Sequence, residues 1–123
     1  MFNFETLGVW QKAIDFPGLI YNETQNFPSE ERLALTNQLW RATVSISFNI
    51  AEGSFRSSKH DFVRFVEIAA GSVFEALSQA SIARRQNFFS EDQFRKIHAD
   101  AEELSRILSD LRRSLLLALN SQP

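Results

Sequence analysis

The chain has 123 residues, of which 44% are apolar and 23% charged, a composition that suits one ordinary globular domain burying about two-thirds of its unfolded surface. A net charge of −2 lacks the global footprint of a dedicated nucleic-acid binder, so only a local basic patch could serve that role. The absence of cysteine excludes disulfides, thiolate nucleophiles and zinc knuckles.

The first predicted helix runs from about Leu7 to Thr24, with Val9, Ala13, Phe16 and Ile20 at helical spacing. Pro17-Gly18 sits inside it. Pro17 has no N–H for the Ala13 carbonyl, which predicts a kink there, or a restart with Asp15 as cap. The second helix opens at Pro28-Ser29-Glu30-Glu31, with Ser29 as N-cap and two carboxylates favourably placed against the helix dipole. It is expected to run to about Gly53, read as a C-cap.

Placed at 100° steps, the second helix carries Leu35, Leu39, Ala42, Ile46 and Ile50 on one side and Trp40, Val44, Phe48, Ala51 and Phe55 nearly opposite. One apolar face suffices for a four-helix core. Either this helix lies centrally and meets neighbours on both sides, or its second face is a subunit interface. The second reading is favoured, because monomers rarely expose a patch of several large aromatic rings. Between the faces runs a polar stripe of Gln38, Arg41, Ser45, Asn49, Glu52 and Arg56, matched on the third helix by Arg64, Glu67, Gly71, Glu75 and Ser78. Both stripes are either solvated surface or the lining of a channel or intersubunit network.

The third helix starts at a cap formed by Ser58-Lys59-His60-Asp61 and ends near Gln86, with Phe62, Val66, Ala69, Val73, Ala76, Leu77 and Ala80 on one face. The fourth follows the capping box Ser90-Glu91-Asp92-Gln93 and runs from about Glu91 to Leu119. Its residues Phe94, Ile97, Ala101, Leu104, Leu108, Leu111, Leu115 and Ala118 make a heptad seam. Both helices approach about 45 Å in length. The connection Asn87-Phe88-Phe89 is so short that they must be antiparallel neighbours. The expected fold is all-α: an antiparallel up-down-up-down four-helix bundle filling one domain over residues 1–123.

No catalytic residue, metal or cofactor is expected. The di-iron signature of helix bundles needs Glu-x-x-His, but Ser57 and Arg95 stand three before His60 and His98, which are read as surface residues. No phosphate loop, dinucleotide fingerprint or nucleophile elbow occurs. Met1-Phe2-Asn3-Phe4-Glu5 is unlike a signal peptide, and Leu115 to Leu119 is too short an apolar run to cross a bilayer, so a cytoplasmic location without membrane contact is expected. The cations available for nucleic acid are Arg41, Arg56, Lys59 and Arg64.

Nearly the whole chain resembles the bacterial four-helix bundle proteins associated with intervening sequences in 23S ribosomal RNA genes. The resemblance is carried by Phe4-Glu5, Val9-Trp10-Gln11-Lys12-Ala13, Phe27-Pro28 and above all Asn49-Ile50-Ala51-Glu52-Gly53. It continues through Arg56, Ser58-Lys59, Phe62, Arg64-Phe65, Ile68-Ala69 and Gly71-Ser72. It implies a subunit that packs into a homopentameric ring with no catalytic activity, and a relation to accessory subunits of reverse transcriptases, a strongly basic branch unlike this chain. Where members of the family commonly carry paired Arg, Trp40 replaces the first, and a usual Pro region reads Ser45-Ile46-Ser47-Phe48. Both changes argue for assembly through the second helix and against RNA binding. The functional expectation is a homo-oligomeric scaffold for a protein partner, against a competing ring that binds nucleic acid, with RNA affinity expected to be weak.

Overall fold

Short-range signals set most of the helix ends. The computed structural model describes residues 2–120, without the side chains of 31–33, and contains no strand among them. A 3-10 turn over Asn3–Thr6 leads into α1 (Gly8–Ala13) and α2 (Phe16–Glu23). The short α3 (Ser29–Glu31) passes through a π-helical turn over Arg32–Thr36 into α4 (Asn37–Phe55), followed by α5 (Lys59–Arg85) and α6 (Glu91–Asn120). These form four helical arms, the first being α1 with α2.

Of the three serines expected to cap helices, Ser58 and Ser90 do so, whereas Ser29 is itself the first residue of α3. The Ser58 hydroxyl accepts from the Asp61 amide at 3.1 Å. At α6 the box closes reciprocally: the Gln93 amide donates to Ser90 Oγ at 3.1 Å, and the Ser90 amide donates to Gln93 Oε1 at 2.8 Å. The end of α5 is a Schellman motif, with Asn87 at φ 64° and the Phe88 amide donating to the Ala83 carbonyl at 2.9 Å. The first arm breaks where Pro17 requires: α1 stops at Ala13, and α2 restarts with Asp15 in the cap position but no hydrogen bond from its side chain. The missing N–H of Pro17 therefore sets the break.

The second predicted helix needs two corrections. It is not uniformly α, because the π-helical turn interrupts it at Arg32–Thr36; the Glu31 carboxylate lies outside the described residues. Nor is Gly53 its C-cap, since α4 continues to Phe55 and Gly53 has no positive φ. Gly53 is buried, and a Cβ there would stand 2.8 Å from Phe65 Cβ and 2.9 Å from Phe62 Cδ1. Its role is spatial: it lets α4 and α5 approach.

Packing is most extensive between α5 and its neighbours α4 and α6, while α1 and α2 lie against α4 and α6. On the inner face of α5, Ala69, Ala76, Ala80 and Ala83 are fully buried, and larger Leu39, Ile46, Ile50, Leu104 and Leu108 of α4 and α6 fill the space they leave. Numbering rises in one helix and falls in its neighbour: Ser45 meets Ser72, and Gln38 meets Gln79. In the same way Glu67 pairs with Arg112, and Arg84 with Glu91. Lys12 ties α1 to α6 through Glu103 at 3.1 Å and Asp100 at 3.9 Å. The Glu103 hydrogen bond, aided by the attraction of Asp100 and Asp15, holds the Lys12 ammonium above its usual pKa despite partial desolvation.

The seam of α6 is fully buried only from Ile97 to Leu108; Leu111 and Leu115 are half-buried and Leu117 is exposed. The reason is length. The first arm spans roughly 24 Å against about 45 Å for α6, so one wall is missing at this end.

Replacing Gly53 with Ala should cost about 1–3 kcal/mol despite the better helix propensity of Ala, because the backbone of one helix must move. Gly18→Ala, at an exposed site with nothing within 4 Å of the new Cβ, should gain about 0.4–1 kcal/mol. Urea denaturation of the two variants checks both signs.

Candidate functional site

The close contact at Gly53 turns the two apolar faces of α4 in different directions. Leu39, Ala42, Ile46 and Ile50 are buried and Leu35 is half-buried. On the other face Trp40, Phe48 and Phe55 are 47%, 69% and 84% exposed, with Val44 and Ala51 half-buried beside them. Within the subunit, then, α4 is not covered on both sides. The N-terminal 3-10 turn enlarges the patch: Phe2, 72% exposed, lines an open groove of about 600 Å³ together with Phe4, Phe48 and Phe55. Phe4 is anchored edge-on to Trp10 at 4.9 Å between ring centroids. The participation of Phe2 is not legible in the sequence, where the one related signal is a composition of twelve phenylalanines against one tyrosine. Rings of roughly 150–250 Å² each make this one apolar surface of several hundred Å².

The polar stripe divides. Ser45 and Asn49 are half-buried in the seam with α5: Ser45 Oγ lies 2.9 Å from Ser72 Oγ, and Asn49 Nδ2 donates to the Ser45 carbonyl at 2.8 Å and to its hydroxyl at 3.0 Å. Gln38, Arg41 and Glu52 are exposed, as are Arg64, Glu67, Gly71, Glu75 and Ser78 on α5.

Three of the four candidate cations come together at the turn between α4 and α5. The Arg56 and Arg64 guanidiniums lie over the Phe65 ring at 4.8 and 4.6 Å from its centroid, and Lys59 is exposed in the same turn. Arg56 also donates to Glu52 at 2.6 Å, and Arg64 lies 3.9 Å from Asp61. Arg41 stands apart, about 22 Å along the helix from Arg56 at 1.5 Å per residue. Both His60 and His98 are exposed, and among the described residues no group of three or more His, Cys, Asp or Glu converges as a metal site would need. No helix among them is long and apolar enough to cross a membrane.

Residues 5–110 match the family described as 23S rRNA-intervening sequence protein. The chain belongs to that family. Its fold is similar to the crystal structure of a protein with unknown function from the S23 ribosomal protein family of Bacteroides thetaiotaomicron. The TM-score is 0.78 at 24% identity, covering 85% of this chain and 95% of that one. No curated protein matches the chain. In this 23S rRNA-intervening sequence family member, the segment Asn49 to Gly53 spans two roles. Asn49 and Gly53 serve the seam with α5, while Ala51 and Glu52 border the aromatic face.

The stacking of two guanidiniums on Phe65 is measurable. A double-mutant cycle of Arg64→Ala with Phe65→Leu, followed by chemical denaturation, should return a coupling of about 0.5–1 kcal/mol.

Proposed function

We propose that this protein is a non-enzymatic cytoplasmic scaffold, a single-domain up-down-up-down antiparallel bundle whose copies assemble into a ring and present it to a protein partner. The observation that carries the proposal is the exposed aromatic face of α4 with Phe2 beside it. Water-facing rings of this area are costly for a free subunit and are stabilised by a partner surface. The number five comes from the family resemblance, and corresponds to an assembly of about 70 kDa from subunits of 14.1 kDa. Half-burial of Ser45 and Asn49 supports a structural role for the middle of the polar stripe; Gln38 meets Gln79 and Glu52 holds Arg56, which leaves the exposed Arg41 for contacts beyond the subunit.

A second reading, a ring that binds nucleic acid, draws on the cluster of Arg56, Lys59 and Arg64, which rotational symmetry would repeat on one rim. Against it, Arg56 and Arg64 already have carboxylate neighbours in Glu52 and Asp61. Few cations are left for phosphates.

Static light scattering at micromolar concentration is expected to give the mass of a pentamer, and a monomer would overturn the proposal. Phe48→Asp or Trp40→Asp is expected to yield smaller species with unchanged far-UV circular dichroism, since burying an unpaired carboxylate at an interface is costly. Titration of a labelled RNA is expected to show weak binding that disappears at physiological salt. Binding that persists there and falls across all sequences in the Arg56→Glu, Lys59→Glu double variant would favour the nucleic-acid ring.

A further inference from the structure

A ring needs two different faces on each subunit, because a contact between identical patches closes at two copies. The ridge of α4 is one such face. The wall formed by α5 and α6 carries a feature of the opposite shape. Here Phe74, 61% exposed, stands between two hollows of about 460 and 430 Å³. Leu77 lines the first hollow and Ala70 the second, while Gly71 contributes no side chain to the rim.

We infer that this groove receives the aromatic ridge of α4 from a second copy of the chain, so that the ring closes by head-to-tail contacts. The inference rests on the ring reading above and names the surface that completes it. Three observations on the subunit support it. The first is pitch: Phe48 and Phe55 are seven residues apart on one face, two helical turns or about 10.5 Å, and so are Leu77 and Ala70 in the two hollows. The two hollows share Phe74, Ser105 and Ser109 in their linings, so they adjoin along the α5–α6 wall as the two rings adjoin along α4.

The second is charge. Arg106, on the rim of the first hollow beside Phe74, has no charged partner among the described residues, and Glu52, whose Oε1 accepts from Arg56 at 2.6 Å, lies between Phe48 and Phe55 with its side chain 52% exposed and open to a second guanidinium. Glu52 sits midway between the two rings and Arg106 near the ring that divides the two hollows. The carboxylate thus reaches the level of the guanidinium whichever way the ridge runs along the groove. The third is area and direction. The exposed parts of Phe2, Trp40, Phe48 and Phe55 amount to about 500 Å², most of the roughly 800 Å² per partner of a stable interface. Since α4 packs on α5 and on the first arm, its outward corner lies on a different side from the α5–α6 wall. Successive copies therefore turn relative to one another, as closure requires.

Two variants separate the faces. Phe48→Asp removes the ridge, and Ser109→Arg, at an exposed position lining both hollows, blocks the groove. Gly71→Arg, with open space at its Cβ, blocks the groove from α5 should Ser109→Arg fail to fold. Each variant alone is expected to be a monomer with retained helix content. Mixed in equal amounts, a ridge variant and a groove variant are expected to form a dimer of about 28 kDa, twice the 14.1 kDa subunit, through the one intact ridge and the one intact groove. If the wild type is oligomeric and Phe48→Asp dissociates it, but both groove variants keep the native mass, the ring reading stands and this inference is wrong. Mixtures that remain monomeric overturn it as well, whereas a monomeric wild type removes the ring reading itself.

Discussion

Where α4 passes α5 there is no room for a side chain, and Gly53 supplies none: its Cα faces the Phe65 Cβ and the Phe62 ring. This contact fixes both the separation of the two helices and the rotation of α4 about its own axis. With Gly53 turned toward α5, helical periodicity places Ser45 opposite Ser72 and Gln38 opposite Gln79, and sends Leu39, Ile46 and Ile50 inward. Trp40, Phe48 and Phe55 have only the outward direction left. The aromatic face thus follows from the seam and is compatible with a filled core, in which the alanines of α5 accommodate the larger residues of α4 and α6.

Much of this was legible in the sequence because it depends on neighbours a few residues away. The caps at Ser58 and Ser90, the break at Pro17 and the length of α6 each follow from short-range chemistry. Features that depend on another helix were not. A glycine near a helix end can serve the backbone's conformational freedom or the approach of a second helix, and Gly53 reads the same either way until Phe65 is seen against it. Likewise the heptad through Leu111 and Leu115 continues without a change of pattern, while burial fades because the first arm is short. The two faces of α4 were recognisable, but whether a neighbour covered the second required the fold. Asn87, which takes the left-handed conformation that ends α5, was read only as part of a short connection.

The same comparison clarifies the charged residues. Spacing along α4 groups Arg41 with Arg56, yet the fold gathers Arg56, Lys59 and Arg64 at one turn and leaves Arg41 roughly four helical turns away. Sequence proximity across the turn from α4 to α5 was the better guide. Membership of the 23S rRNA-intervening sequence family and the likeness to the Bacteroides thetaiotaomicron protein give the architecture, and neither carries a chemistry. On that architecture the phenylalanines divide between core and surface. Phe16, Phe27 and Phe89 are buried, whereas Phe2, Phe48, Phe55 and Phe74 face outward.

The shortness of the first arm also bears on how the molecule breathes. Beyond Leu108, α6 leans on the start of α5 with no helix of the first arm opposite, and its side chains there are half-buried or exposed. The free energy that keeps a helical turn closed comes chiefly from the apolar surface it hides, so the last three turns of α6 open at a lower cost than the stretch from Ile97 to Leu108. Amide hydrogens on this single continuous helix then fall into two classes, slow to exchange before Leu108 and fast after it. The boundary between them is set by where a different helix begins.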